Sequence, residues 1–285
     1  MCNIDTAEAR SLEDLIAWVE TDGSEHRDGP NWFRGHQRPT YHLEPKVQRS
    51  EYKLQPGTEM SLALNFKIQA VGRHARCPAD DDLIGWMTLM QHYGLPTRLL
   101  DWSSSILVAA FFATEPEFHC DCDKALVVHQ DQVGTIWSLN PCLLNCHESN
   151  RVFRWTKNRN ERLERNIIVF DQFQHPQHKR AYKEFIESAF ANVECNNSAV
   201  LAVAPRQIDS RLVEQSGCFT IHGRGMITAP LDHMQFDLPI LRRCNIPCSA
   251  KARIQVQLRK CGISRASLFR DLANLALDLA NTHRS

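Results

Sequence analysis

The sequence predicts an α+β protein, and three observations carry that reading. Strand-length apolar runs recur along the chain: NWFRGHQ (31–37), SAVLAVAP (198–205) and GCFTIH (217–222). Segments at 10–21, 60–76 and 82–93 place apolar residues at helical spacing. Hydrophobic residues make up 43% of the chain, enough for a packed core.

Taken in order, residues 10–21 form a leading helix, with Leu12, Leu15, Ile16 and Val19 on one stripe. Ser11 and Asp14 stand at capping-box spacing. A turn-rich link, DGSEHRDGP, leads into the strand around Phe33. The helix at 60–76 stacks Leu62, Phe66 and Ala70, and the helix at 82–93 ends at Gly94 and Pro96. LPTRLLDWS reads as extended, with Thr97, Leu99, Asp101 and Ser103 on one face and Arg98, Leu100 and Trp102 on the other. Ser103 to Ser105 then offer an N-cap for the apolar helix ILVAAFFAT. KALVVH (124–129) and TIWSL (135–139) are strands. From 142 to 197 the composition turns polar and basic, and this stretch reads as an insertion or lobe with a helix at 178–191. GCFTIH turns Phe219 and Ile221 one way and Cys218, Thr220 and His222 the other. The tail from Lys251 reads as a strand or helix start, a Gly turn and a closing amphipathic helix. We expect one domain over 1–285.

Lys+Arg and Asp+Glu each number 33, so net charge exerts no global pull toward nucleic acid or a lipid surface. No run approaches the roughly 18 apolar residues of a membrane span. The N-terminus lacks the basic start and apolar run of a secretory signal, so a cytoplasmic protein is expected. The eleven cysteines are an odd, scattered set. Cys120-x-Cys122, Cys142-x3-Cys146 and Cys244-x3-Cys248 lack the paired C-x2-C spacing of zinc sites, and no metal is expected.

Three segments carry candidate chemistry. In Phe33-Arg34-Gly35 a planar guanidinium suits phosphate oxygens, and Gly35 would let a ligand approach the backbone. In the stretch after Gln91, Thr97, Asp101 and Ser103 line a pocket if the strand faces one, whereas Arg98 and Asp101 serve as ties if it does not. In RLVEQSGCFTIH, Glu214 or Gln215 stands at a strand start, where a side-chain oxygen can hold a sugar hydroxyl. His36, His92 and His222 are candidate bases. GxxxxGK[ST], GxSxG, HExxH and GxGxxG are absent.

Together, FRG (33–35), QHYGLPTRLLDWSSSILVAAFFA (91–113), EQSGCFTIHG (214–223) and KCGISRASLFRDL (260–272) resemble the FRG domain, from about Trp32 to Leu272. The order of elements is also similar to the ADP-ribosyltransferase fold. That resemblance implies a split, mixed or antiparallel sheet flanked by helices. It implies NAD as substrate, with Arg34 on the diphosphate, Ser103 or Thr97 at the second position, and Glu214 or Gln215 at the ribose. Tyr93, Trp102 or Phe219 would stack on nicotinamide, and Asp101 would act as a base for the acceptor. The activity so implied is cleavage of the nicotinamide–ribose bond and transfer of ADP-ribose to a protein or nucleic acid by a toxin or defence effector. Two other readings stand beside it: a phosphate-ligand-binding or interaction module without turnover, and a DNA- or RNA-binding protein using the basic run at 151–165.

Overall fold

The computed structural model describes residues 4, 6–21, 30–52, 54, 57–115, 117–121, 124–128, 132–148, 168–169, 176–191, 198–204, 210–224 and 229–282. In chain order the elements begin with β1 (Thr6–Glu8), α1 (Leu12–Glu20), β2 (Trp32–His36), α2 (Thr58–Ala70), α3 (Leu83–His92), β3 (Leu99–Ser103) and α4 (Ile106–Thr114). They continue with β4 (Glu117–Asp121), β5 (Lys124–Val128), β6 (Gly134–Leu139), α5 (Pro141–Glu148), β7 (Ile168–Val169), α6 (Pro176–Ala191) and β8 (Val200–Ala204). The chain then forms α7 (Ser210–Glu214), β9 (Gly217–His222), β10 (Leu241–Ile246), α8 (Cys248–Lys260), α9 (Arg265–Leu268) and α10 (Leu272–Thr282). None of the described helices is long and apolar enough to cross a membrane.

Eight strands make one sheet in the order β1-β10-β6-β2-β3-β9-β8-β7, while β4 and β5 pair separately. Within the large sheet β1/β10 and β7/β8 are parallel and the other neighbours antiparallel. The protein is therefore α+β, with a mixed, mostly antiparallel sheet flanked by helices. Phe33 pairs with Ser103, so side-chain alternation puts Phe33, Leu99, Asp101 and Ser103 on one face. Two helical groups cover that face. Residues of α1, α4 and α8, among them Leu15, Ala110 and Ile254, pack on Phe33, Ile136 and Cys244. Residues of α2, α3 and α6, among them Ala63, Trp86 and Phe185, pack on Leu99, Leu201 and Phe219. The opposite face buries Trp32, Leu100, Trp102 and Trp137 beneath Leu143 and Leu144 of α5.

Local sequence accounts for several helix starts. Ser11 Oγ accepts the Asp14 amide, and Asp14 in return accepts the amide of Arg10, one residue before the cap. The Asp82 carboxylate caps α3 through the Gly85 amide. Ser105 Oγ accepts the Val108 amide at the start of α4, as the serine run predicts. Gly94, at φ +84°, ends the chain's path out of α3 in the left-handed region.

Arg98 and Asp101 do not brace one another. The Arg98 guanidinium donates twice to Glu59 (2.8 and 2.9 Å) and once to the Gly223 carbonyl, and Arg224 donates to the same carboxylate at 2.8 Å. These side chains are 10%, 19% and 16% exposed for Arg98, Glu59 and Arg224. Removing the acid would leave two largely desolvated cations facing each other. Glu59→Ala is therefore expected to cost about 3 kcal/mol in urea unfolding; a midpoint matching the unsubstituted chain would show that the cluster is solvated.

The segment 142–197 is more than an appended polar lobe. At one end Asn145 of α5 bonds both the amide and the carbonyl of Ala202, and buried Glu148 accepts the Val200 amide. At the other end Phe185, Ile186 and Phe190 of α6 enter the core on α2 and α3. The helix expected at 178–191 is α6, which begins two residues earlier at Pro176, whereas polar composition hid α5, because a few apolar positions at helical spacing suffice to bury one face. The basic run at 151–165 and the Cys120–Cys122 pair lie outside the described residues and side chains.

Candidate functional site

The site forms where β2 and β3 part. β2 pairs with β6 over five residues and β3 with β9 over five, but β2 and β3 share a single pair, Phe33 with Ser103. Continuing that ladder would set Gly35 opposite Asp101. The strands diverge instead, and the Arg34 side chain spans the gap. Its Nη1 donates to the Asp101 backbone carbonyl at 2.6 Å, which restores a partner to a sheet acceptor that β2 does not reach. Its Nε donates to His36 Nε2 at 2.9 Å. The Asp101 carboxylate lies 3.8 Å from Nη1.

Burial pulls the Arg34 guanidinium down to about 10, so it stays charged at neutral pH. Because His36 Nε2 accepts a bond from a cation, its proton sits on Nδ1, and burial followed by the Arg34 and Arg49 charges holds it neutral well below the usual histidine range. His222 behaves alike. Burial first and then Arg98 push it down to about 3, and its Nε2 lies 3.1 Å from Thr220 Oγ1, which itself accepts the Trp102 indole N–H. A histidine held neutral in the fold binds fewer protons than it does unfolded, at about pKa 6.5. Stability is therefore intact above that value and falls as pH drops from 6.5 toward 3. At pH 5 the cost from His222 is about 2 kcal/mol. Melting at pH 7 and pH 5 checks this, and His222→Gln is expected to flatten the acid limb; an unchanged pH dependence would show that another group carries it.

A cavity of about 310 Å³ opens at the gap, on the helix-covered face between the two helical groups. Arg34, Asp101, Ser103 and Gln215 all line it, joined by Phe219, Phe112 and the basic side chains His74, Arg76 and His92. A second cavity of about 390 Å³ adjoins it and is lined by Arg34, His36, Tyr41, His42, Glu44 and Arg49. The two share Arg34, Gly35 and Phe112. Arg34 thus stands at the waist between two compartments, each near the lower end of ligand-pocket volumes.

The three chain segments singled out in the sequence meet here, but not every candidate faces the space. Asp101 does, with its side chain 59% exposed. Ser103 is on the wall with its hydroxyl committed, donating to the Gln215 carbonyl (2.7 Å) and accepting the Ser105 amide (3.0 Å). Of the adjacent acid and amide, Gln215 lines the cavity and donates to the Leu268 carbonyl, while Glu214 is drawn off by an ion pair with Arg270. Ser216, at φ +46° the one described non-glycine residue in the left-handed region, follows the pair and turns the chain from α7 into β9.

Several readings need correction. Thr97 is buried outside the wall, its hydroxyl bonded to Gln91 and to the Leu99 amide. Trp102 reaches the wall, but it is 3% exposed within the opposite core layer, so it has no ring face to offer a ligand. Tyr93 stands outside on the far side of His74 and His92, 58% exposed. Gly35 admits a helix, not a ligand: a Cβ there would lie 2.0 Å from the Ala109 carbonyl oxygen of α4. His222 is buried away from both cavities. The residues that sequence reasoning passed over are Arg49, in an irregular segment with no motif to mark it, and His74 and Arg76, which fall in the expected helix 60–76 but lie beyond the end of α2 at Ala70, in an irregular segment.

Comparison with curated proteins returns no match, and comparison with solved structures returns none. A family model, described as the FRG domain, matches residues 29–122. That span holds β2, β3 and α4, the elements that make the waist of the cleft, and it ends before the blocks at 214–223 and 260–272. With Arg34 and Gly35 on its first strand and Asp101 and Ser103 on its second, the chain carries an FRG domain over residues 29–122.

Proposed function

We propose that the cleft binds a phosphate-bearing nucleotide, with an NAD-type dinucleotide as the leading ligand. The observation that carries this is the place of Arg34, a charged, planar donor on the wall shared by two adjoining cavities. A dinucleotide has this outline, two bulky halves joined by a diphosphate, and a guanidinium at the junction suits the diphosphate oxygens. Arg76 on one side and Arg49 on the other add positive charge, and the His74 and His92 rings add polar nitrogens. Phe112, common to both compartments, offers apolar surface to a base or to nicotinamide, whereas Phe219 reaches the wall but is 3% exposed within the core, like Trp102.

Turnover is the second reading. Breaking the nicotinamide–ribose bond builds positive charge on the sugar, which a carboxylate stabilises and a carboxamide serves far less well. Gln215 lines the cavity in place of Glu214, which favours binding without cleavage. Asp101, the carboxylate on that wall with an exposed side chain, is the residue that favours ADP-ribosyl transfer or NAD hydrolysis. Calorimetry with NAD and ADP-ribose tests the first reading: saturable binding supports it, and no heat from either ligand overturns it. Mass spectrometry for free nicotinamide, and for added ADP-ribose on protein or nucleic acid, tests the second. Release that Asp101→Asn abolishes, with NAD affinity kept, would establish an enzyme; binding without release in the unsubstituted chain establishes a binding module.

A further inference from the structure

We propose that His42, Asp232 and His233 form a binding site for a divalent transition-metal ion, zinc first among them. The donor atoms of these three side chains all lie within 4.8 Å of one another. Asp232 Oδ2 is 2.9 Å from His42 Nδ1 and 3.9 Å from His233 Nε2. A tetrahedral ion with donors at about 2.0–2.2 Å sets them about 3.3 Å apart, between these two distances, so small ring rotations close the set. Two imidazoles and one carboxylate are a borderline donor set that suits zinc and leaves a fourth position for water or a ligand.

The backbone beneath the group is pinned, which separates it from a chance meeting of surface side chains. Leu43 and Leu231, the neighbours of His42 and Asp232, are both fully buried in the core. The Leu231 amide donates to the Leu43 carbonyl at 2.9 Å, and the Leu43 amide donates to Asp232 Oδ1 at 2.7 Å. One carboxylate oxygen is thereby held by the backbone and the other is aimed at the histidines, the arrangement that orients a metal ligand from its outer shell. The imidazoles are 46% and 54% exposed for His42 and His233, so an ion has a path in. His42 also lines the second cavity, which brings the site to the rim of the compartment that shares Arg34. The inference does not depend on the nucleotide reading, because the three donors and their backbone ties stand without it.

The test uses the full chain, stripped with chelator and dialysed, and titrated with zinc and cobalt(II) at pH 7.5. One equivalent of zinc is expected, with a rise in melting temperature. His233→Ala removes one donor and leaves the His42–Asp232 pair and both backbone ties, and it is expected to weaken zinc at least tenfold. His42→Ala combined with His233→Ala is expected to weaken it a hundredfold or more. The cobalt spectrum should show nitrogen and oxygen ligation without a thiolate charge-transfer band. Zinc affinity unchanged by His233→Ala, no zinc bound above the level of the double variant, or a thiolate band assigning the ion to the cysteines would each overturn the proposal.

Discussion

Arg34→Ala is expected to weaken the binding of NAD or ADP-ribose about a hundredfold, some 3 kcal/mol, while the melting temperature moves by only a few degrees. The ligand loses a planar cation placed between two cavities. The fold loses less. The Asp101 carbonyl beside the open cleft regains a partner from water, and only the His36 acceptor is left buried, at about 1–2 kcal/mol. Arg34→Lys keeps the charge but cannot hold His36 and Asp101 with one fork while meeting phosphate oxygens. It is expected to fall between the two, with about a tenfold loss. Calorimetry on both variants, with melting curves alongside, checks the division; affinity unchanged by Arg34→Ala would remove the diphosphate role.

One residue along, the expectation reverses. Gly35→Ala is expected to destabilise the chain by at least about 3 kcal/mol, which shows as a large fall in melting temperature and poor soluble yield. The added methyl would lie 2.0 Å from the Ala109 oxygen and 2.7 Å from the Ala113 nitrogen, and both are helix backbone that no rotamer change can move. Ordinary contact begins near 3.4 Å, so α4 would have to retreat by more than an ångström from β2. That retreat would open the packing of Ala109, Ala110 and Ala113 against Phe33 and Ile136. A Gly35→Ala chain that melts like the original would show that the helix does not lie on this strand. Neighbouring residues in one motif thus divide the tasks: Arg34 serves the cleft, and Gly35 the layer that supports it.

Much of the fold was legible because it rests on local signals. Ser11 and Ser105 cap their helices at the points where the sequence places them. The alternation of LPTRLLDWS puts Leu99 in one core layer and Leu100 and Trp102 in the other. The strand Leu241–Ile246 went unread because Arg242 and Arg243 mask its apolar alternation. Arg242 nonetheless lies buried, donating to the Trp18 carbonyl and the Thr21 hydroxyl. The tail left open between strand and helix resolves as α8, since Ala250, Ile254 and Leu258 recur at helical spacing and bury one face.

The sequence by itself determined which stretches carry the cleft: the FRG tripeptide, the strand ending at Ser103, and the turn at Glu214–Gln215. Composition, periodicity and capping are properties of neighbours in the chain, and they survive without a fold. Only the tertiary structure decided which side chains of those stretches face the space. Arg270 draws Glu214 away and the Ser216 turn leaves Gln215 on the wall; Glu59 claims Arg98 and leaves Asp101 exposed beside Arg34. His42 meets Asp232 across 190 positions of sequence. Charges and hydrogen-bond donors act over a few ångströms of space, and separation along the chain does not encode that distance.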